Sequence, residues 1–343
     1  MASGGVVAAA AAGKRRRGRR WPKWLGIVVL AVIALFWWAQ VPDLPAAELK
    51  AKYARAGDLF VEVEPGLEVH IRDEGPKDAP ALVLLHGSNS SLQTWEPWAA
   101  QLKDRYRIIS YDQPGHGLTG AHPRADYSAA AFVRVLDVVA ANRGLTKFAL
   151  AGNSMGGWVA WNYALAHPDK LSALILVDAA GAPVKSTGTP IGFRIARTPV
   201  VRDLIGNLTP RIIIEKSLED TLYDRKQVTP AMVDRYWELL RYPGNRKATL
   251  DRSRTERGQV AQSALAAIKV PTLLMWGRED SLIPVSGAAW FAKGIPGAKT
   301  VIYDRIGHIP MQETPDKSAA DVDAFLSAQS PISEVSRVSG IVQ

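Results

Sequence analysis

The chain has 343 residues, of which 47% are hydrophobic, enough for one large globular domain with insertions or for two small ones. It has no cysteine, which excludes disulfide bonds, thiolate catalysis and cysteine metal sites. The formal net charge is +9, but seven basic residues precede the first acid, Asp43, so the remaining residues carry only +2. Because a nucleic-acid-binding domain needs a basic face, this nearly neutral remainder argues against nucleic-acid partners.

The amino terminus has the pattern of a membrane anchor. Residues 1–23 are Ala/Gly-rich and then basic, and we expect them to be disordered. The uncharged segment 24–41 would form a helix about 27 Å long, close to the thickness of the bilayer hydrocarbon. The alternative is a cleavable secretory signal, but such a signal ends in small residues, whereas this segment ends in tryptophans followed by Pro42. We predict a single uncleaved transmembrane helix with the basic end in the cytoplasm, which places the following domain on the outer, periplasmic side in a bacterium.

Beyond the anchor, residues 42–57 are predicted to form a short charged helical stalk, residues 58–328 a folded α/β domain, and residues 329–343 a flexible tail. The domain opens with a predicted hairpin, and its later strand-like runs are apolar and alternate with helical patterns, among them 92–102 and 125–142. Such alternation predicts a mostly parallel, eight-stranded sheet with helices on both faces. The predicted strands are Leu59–Glu64, Leu67–Arg72, Ala81–His86, Arg107–Tyr111, Lys147–Ala151, Ala173–Asp178, Pro271–Trp276 and Thr300–Asp304.

One long segment, residues 183–263, interrupts this alternation. It contains no strand pattern, and prolines separate its helical pieces. It lies between two predicted sheet strands, so we expect an inserted helical cap over the carboxyl ends of the strands. Ligands of open α/β sheets bind at those ends.

The pentad Gly152-Asn153-Ser154-Met155-Gly156 has the form G-x-S-x-G between a predicted strand and a predicted helix. In that context the serine lies on a sharp turn with its hydroxyl exposed to substrate. The flanking glycines allow the close backbone approach and strained angles that such a turn needs. The pattern therefore predicts Ser154 as a nucleophile.

A serine nucleophile needs a base, and the base needs an acid to orient it. His308 follows the last predicted strand at the correct end of the sheet, and it is the best candidate among the six histidines. Asp280 follows the preceding strand in the same way and is the predicted acid, with Glu279 as its rival. The chain order of Ser154, Asp280 and His308 is typical of one fold family.

An oxyanion hole requires backbone N–H groups directed at the developing negative charge. Met155, directly after the predicted nucleophile, supplies one such group. Ser88, in the loop after the strand Ala81–His86, is the predicted second donor. His86 is expected to order this loop through hydrogen bonds.

These motifs occur together and in a fixed order. They resemble the α/β-hydrolase superfamily whose members carry a helical cap, and the resemblance implies the fold and the Ser-Asp-His triad, with Asp112 and His116 as structural residues. The motifs are LLHGS at 84–88, YDQPGHG at 111–117, GNSMGG at 152–157, GREDSLIP at 277–284 and IGHIPMQETP at 306–315.

Within the superfamily, Ser154 argues against dehalogenases and epoxide hydrolases, which have an aspartate at that position. The chain resembles membrane-anchored monoacylglycerol-lipase-like hydrolases, which implies a lipid-like or small hydrophobic carboxylic ester as substrate, without a metal or cofactor. It also resembles meta-cleavage-product C–C hydrolases, in which Asn153 would help to hold the substrate, but Ile309 stands where those enzymes have tryptophan. Hydrolysis of a thioester or an amide, including a peptide, stays open, and a non-catalytic binding protein of the same fold is a further alternative. The sequence indicates no oligomeric state.

Overall fold

The computed structural model describes Met1 and residues 21–38, 40–188, 190–191, 194, 208–255 and 260–329. It consists of two units, Met1–Gln40 and Val41–Gln343. Most of the predicted disordered segment 1–23, and all of the predicted tail except Gln329, lie outside the described residues.

In its described residues the first unit contains one helix, α1 (Trp21–Trp38), which differs from the predicted membrane span. It begins and ends three residues before the predicted segment 24–41, so its first turn includes Lys23. The uncharged part that remains is about 22 Å long, shorter than the roughly 30 Å of bilayer hydrocarbon. Within the described part of the chain, no helix is long and apolar enough to cross a membrane. The prediction of a transmembrane helix is therefore not supported.

The second unit is built on an eight-stranded sheet, as predicted. Apolar runs that are buried on both faces form its central strands. The strands are β1 (Leu59–Glu64), β2 (Leu67–Glu74), β3 (Ala81–Leu85), β4 (Arg107–Tyr111), β5 (Phe148–Asn153), β6 (Leu171–Val177), β7 (Thr272–Gly277) and β8 (Lys299–Tyr303).

The strand order is β1-β2-β4-β3-β5-β6-β7-β8. Strand β2 pairs antiparallel with both β1 and β4, whereas all neighbours from β4 to β8 are parallel. The predicted hairpin and the mostly parallel sheet are thus confirmed. Because β5, β6, β7 and β8 run side by side in the same direction, the loops that follow them meet at one edge of the sheet.

Helices cover both faces of the sheet and bury two hydrophobic clusters. Helices α4, α5 and α9 contribute to one cluster and helices α3 and α11 to the other. The helices of this unit are α2 (Ala46–Tyr53), α3 (Glu96–Leu102), α4 (Ala129–Asn142), α5 (Met155–Ala166), α6 (Arg211–Glu219), α7 (Pro230–Leu240), α8 (Asn245–Arg254), α9 (Ser286–Gly294), α10 (Pro310–Glu313) and α11 (Pro315–Ser327).

The chain between β6 and β7 contains helices α6, α7 and α8 and, in its described residues, no strand. This is the segment predicted as an inserted helical cap, and we refer to these three helices as the cap helices.

Residues 41–54, here called the N-terminal strap, pack against two of the cap helices. The Leu44 N–H donates to the Arg241 carbonyl at 2.9 Å, and Arg241 Nε donates to the Pro42 carbonyl at 3.0 Å. Lys52 Nζ lies 2.7 Å from the carboxylate of Glu238 on α7. In the middle of α2, Leu49 is only 1% exposed and belongs to a small hydrophobic cluster with residues of the cap. The part of the predicted stalk from Pro42 to Lys52 is thus bound to the cap.

Candidate active site

The predicted nucleophile, Ser154, lies on a tight turn between β5 and α5. Its backbone has φ 54° and ψ −115°, a conformation that costs energy for a residue with a side chain. The turn depends on its glycines, because a Cβ at Gly156 would lie 2.1 Å from the Leu85 carbonyl oxygen. The Ser154 N–H donates to the Val177 carbonyl at 3.0 Å, which ties the turn to β6. The backbone thus presents the serine as its motif predicts.

His308 and Asp280 meet at the same edge of the sheet. His308 Nδ1 lies 2.6 Å from Asp280 Oδ2, and both side chains are buried. Asp280 Oδ1 accepts the N–H groups of Leu282 at 2.8 Å and Ile283 at 3.0 Å. Because a carboxylate oxygen accepts hydrogen bonds, the 2.6 Å contact assigns the proton of a neutral His308 to Nδ1 and leaves Nε2 as the proton acceptor.

His308 Nε2 is buried and has no hydrogen-bond partner among the described residues. The backbone brings this imidazole close to the serine turn through Asn153, the residue before Ser154. The Asn153 side-chain amide donates to the His308 carbonyl at 3.0 Å and to the Val177 carbonyl at 3.2 Å. The Asn153 side chain therefore links the two loops, and its contact with substrate stays a prediction.

The loop that carries His308 is held by one buried carboxylate, that of Glu313. This carboxylate accepts the N–H groups of Gly307 at 3.0 Å, Ile309 at 3.3 Å and Tyr223 at 2.8 Å. Burial raises the pKa of Glu313. The His308 N–H in turn donates to the Thr221 carbonyl at 3.0 Å, so the segment after α6 also supports the loop.

The two predicted oxyanion donors lie on either side of Ser154. Met155 begins α5, and Ser88 lies in the loop after β3, where a Cβ at the neighbouring Gly87 would approach the Ser154 Cβ to 3.1 Å. Among the loop, turn and cap hydrogen bonds of the described residues, neither N–H donates to a backbone carbonyl. Their role as oxyanion donors stays a prediction.

A cavity of about 440 Å³ opens beside Ser154. Its lining is mixed, with hydroxyl groups and one arginine facing a set of apolar side chains. The arginine, Arg252 of α8, donates to the Asn89 side chain at 3.0 Å and to the Gly115 carbonyl at 2.8 Å, which connects the cap to the loop of Ser88. The lining includes Ser88, Asn89, Ser154, Val184, Ser186, Thr249, Arg252, Leu282 and Ile283.

The profile of the alpha/beta hydrolase fold matches residues 80–315, more than half of the chain. The chain belongs to the α/β-hydrolase fold family. This match covers the serine turn, the cap helices and the loops of Asp280 and His308.

Relatives of this α/β-hydrolase include both classes that its motifs resemble. It is 28% identical to monoacylglycerol lipase abhd6-B of Xenopus laevis, over 74% of this chain and 77% of the relative. It is 27% identical to a 2-hydroxy-6-oxononadienedioate/2-hydroxy-6-oxononatrienedioate hydrolase of Dechloromonas aromatica, over 79% of this chain and 96% of the relative. A crystal structure described as a membrane phospholipase A and bacterial virulence factor superposes with a TM-score of 0.70 at 27% identity, covering 90% of this chain and 99% of that one.

The remaining motif residues of the α/β-hydrolase are buried and support loops. Asp112 accepts the N–H groups of Leu92 and Leu118, each at 2.8 Å, and His116 lies against the Pro114 carbonyl at 3.1 Å. His86 orders its loop, because its Nε2 accepts the Gln113 N–H at 3.0 Å. These three residues have the structural roles predicted for them.

Sequence reasoning missed two buried carboxyl groups beside His308. One is Glu313, to which the sequence analysis assigns no role beyond its place in the motif IGHIPMQETP at 306–315. The other is Asp178, directly after β6, one of whose carboxylate oxygens lies within 4.8 Å of a carboxylate oxygen of Asp280 and of a ring nitrogen of His308. This spacing resembles a metal site, but the 2.6 Å contact between His308 and Asp280 leaves no room for an ion between them. A signal was present in the sequence, since Asp178 ends a predicted strand next to the strand that precedes Asp280.

Proposed function

We propose that this α/β-hydrolase cleaves carboxylic esters with a hydrophobic acyl group through an acyl-enzyme on Ser154. The observation that carries the proposal is the 2.6 Å contact between His308 Nδ1 and Asp280 Oδ2. That contact fixes the tautomer in which Nε2 is free to accept a proton, at the sheet edge where the Ser154 turn lies.

The proposed chemistry gives each of these groups one role. His308 Nε2 takes the hydroxyl proton of Ser154 as its Oγ attacks the ester carbonyl, while Asp280 stabilises the imidazolium without taking the proton. The amides of Met155 and Ser88 bind the oxyanion. His308 then gives its proton to the departing alcohol. A water, deprotonated by His308, attacks the acyl-enzyme and releases the acid, and the proton returns to Ser154.

Two features favour a hydrophobic ester. A serine nucleophile forms an acyl-enzyme, which suits esters, and the relatives include a monoacylglycerol lipase and a phospholipase A. Apolar side chains, among them Val184, Leu282 and Ile283, line one side of the cavity beside Ser154. An acyl chain placed there would have its carbonyl close to the two amide donors.

The first test is Ser154→Ala, assayed with p-nitrophenyl esters and with a fluorophosphonate probe. We expect loss of hydrolysis by at least about 10³-fold and loss of covalent labelling, because the nucleophile is removed. Ser172→Ala, on an exposed position of β6, is the matched control and should behave as wild type. Undiminished hydrolysis in Ser154→Ala would disprove the nucleophile, and a wild-type protein that the probe does not label would be a non-catalytic member of the family.

The second candidate is hydrolysis of a C–C bond, favoured by the relative that acts on 2-hydroxy-6-oxo-dienedioates. A panel of a short ester, a long-chain ester and a 2-hydroxy-6-oxo-dienoate separates the two reactions. We expect cleavage of the esters. Cleavage of the dienoate alone would replace ester hydrolysis with the C–C reaction.

We further propose that the domain is held at a membrane by its amino-terminal region, with the basic end in the cytoplasm. Support comes from the seven basic residues before Asp43, from the exposed apolar side chains of α1 such as Leu25, Ile27 and Leu30, and from the membrane phospholipase relative. The full chain should remain with membranes after a carbonate wash, and a chain that begins at residue 41 should not. Protease added outside spheroplasts should degrade the domain, and full protection would contradict this orientation.

A further inference from the structure

Asp178 is a buried acid whose position the proposed mechanism does not use. It follows β6 directly, its side chain is fully buried, and its backbone has a positive φ of 45°. Its N–H donates to the Met275 carbonyl of β7 at 2.9 Å. Strands β6 and β7 are parallel neighbours, so the residues that follow them, Asp178 and the Asp280 loop, lie side by side.

The two oxygens of Asp178 have different surroundings. Oδ1 accepts the Gly277 N–H at 3.0 Å, whereas Oδ2 is buried and accepts no hydrogen bond from any described residue. One carboxylate oxygen of Asp178, one of Asp280 and a ring nitrogen of His308 lie within 4.8 Å of one another. Two carboxyl groups buried this close together do not both carry a negative charge.

The environment decides which of the two acids is protonated. Asp280 receives two backbone N–H groups and the His308 imidazole, while Asp178 receives one N–H group. The other titratable groups near Asp178 are Glu313 of α10 and Tyr303 of β8, and neither supplies a positive charge. Burial, followed by the charge of Asp280, raises the pKa of Asp178 well above its usual range.

We propose that Asp178 is a positioning residue that remains a neutral carboxylic acid and donates its O–H to the Asp280 carboxylate. The bond fixes the Asp280 carboxylate so that Oδ2 faces His308 Nδ1. It also keeps the pair at a single negative charge. A second charge there would hold His308 in its protonated form, and a protonated His308 cannot act as the base. No proton leaves Asp178 during the reaction. The proposal rests on the proposed roles of Ser154, Asp280 and His308.

Two variants suit the positive φ of this position, because asparagine and glycine both tolerate it. Asp178→Asn keeps a neutral donor toward Asp280 and an acceptor for the Gly277 N–H. Asp178→Gly removes the donor without straining the backbone. Thermal melting of both variants shows whether each is folded before its kinetics are compared.

The first readout is the pH dependence of fluorophosphonate labelling at Ser154, which requires no knowledge of the natural substrate. In Asp178→Gly we expect labelling about tenfold or more slower, because a hydrogen bond to a charged group is lost. The acid limb of the labelling profile of Asp178→Gly should move to higher pH, because the Asp280 charge is no longer shared with an O–H donor. Asp178→Asn should restore most of the rate and return the acid limb to that of wild type. If the acid limb of Asp178→Asn moved to lower pH, the substitution would have removed an ionised carboxylate. If the two variants were labelled at equal rates, no donor would be needed. Either result overturns the proposal.

The second readout does not depend on activity. An infrared difference spectrum of wild type minus Asp178→Asn at neutral pH should contain the carbonyl band of a protonated carboxylic acid, shifted in D₂O. A spectrum with only carboxylate bands would overturn the proposal even in an active enzyme. A wild-type protein that shows the acid band but is not labelled by the probe would instead contradict the proposed function.

Discussion

Glu313 stabilises the loop of the proposed base through the backbone N–H groups of Gly307 and Ile309 and that of Tyr223. Glu313→Gln leaves one acceptor oxygen and places an amide donor against these N–H groups. We expect kcat for p-nitrophenyl esters to fall by about tenfold with little change in KM, because His308 is displaced while the substrate contacts remain. Steady-state kinetics at saturating ester measure the effect.

The matched control for this prediction is Glu215→Gln on α6, where the carboxylate is 38% exposed and pairs with Arg211. It should have wild-type kcat and KM. If Glu313→Gln changed only KM, the loop would be organising substrate binding and not the base.

The sequence singles out Ser154, Asp280 and His308 through motifs with fixed neighbours and chain order, and Asp280 and His308 lie in contact. It does not predict Asp178 and Glu313, because their surroundings are made by other parts of the chain. Asp178 meets Asp280 only because β6 and β7 are adjacent. Glu313 is buried only because the segment after α6 covers it. Asp178 ends a predicted strand, but the sequence does not show which group it meets, and Glu313, two residues before Pro315, has no distinguishing pattern of its own.

At the scale of elements, the apolar runs predict the strands to within about two residues, because buried strands are apolar along their length. Helix starts are less well predicted. The helix expected from Ala125 begins at Ala129, since Ala125 has a φ of 50° and the Ser128 hydroxyl caps the helix by accepting the Ala131 N–H at 3.2 Å. The stretch expected as one helix over 92–102 begins as a 3₁₀ turn and becomes α-helical at Glu96.

The N-terminal strap is the element whose contacts give a clear stability prediction. Leu49 of α2 is 1% exposed and packs with Leu118, Leu239 and Tyr242. Leu49→Ala removes this contact and leaves a cavity, so we expect a loss of about 2–4 kcal/mol in the free energy of unfolding. Denaturant unfolding measures this loss.

The control on the same helix is Lys52→Ala, whose side chain is 53% exposed although it pairs with Glu238. Its effect should be below about 1 kcal/mol, because exposed ion pairs contribute little. Equal effects of the two substitutions would mean that the strap is held by charge and not by Leu49.

At the scale of the second unit, the sequence predicts the class of sheet but not its strand order or its long-range ties. Nothing in the local pattern places β4 between β2 and β3, and nothing places the strap on the cap helices. Both depend on contacts between segments far apart in the chain, such as the bond between Arg241 and Pro42. The hydrophobic pattern predicts that a segment is buried, but it does not predict which other segment of the chain it packs against.

One buried charge cluster joins distant parts of this unit. His70 of β2 lies 2.8 Å from Asp112, after β4, and 2.9 Å from Asp58, before β1, and Arg72 pairs with Asp58 at 3.0 Å. Burial acts to lower the pKa of His70, but the hydrogen bonds that its ring nitrogens donate to Asp112 and Asp58 outweigh this effect and raise the pKa to about 9. The same contacts lower the pKa values of Asp58 and Asp112, against the effect of burial. Folding therefore favours a charged imidazole between two carboxylates.

The raised pKa makes the stability of the domain depend on pH in a defined direction. A group that binds its proton more tightly when folded stabilises the fold fully below its unfolded pKa, which for histidine is about 6.5. This contribution, about 3 kcal/mol from the size of the shift, is lost as the pH rises from about 6.5 through about 9. Denaturant unfolding over that range should show this decline in wild type but not in His70→Gln. The control is His167→Gln, at a half-buried histidine directly after α5, and it should show the same decline as wild type. If the His70→Gln protein kept the full decline in stability, His70 would not be the group responsible. No other group of the cluster loses a proton over this pH range, so the variant tests His70 alone.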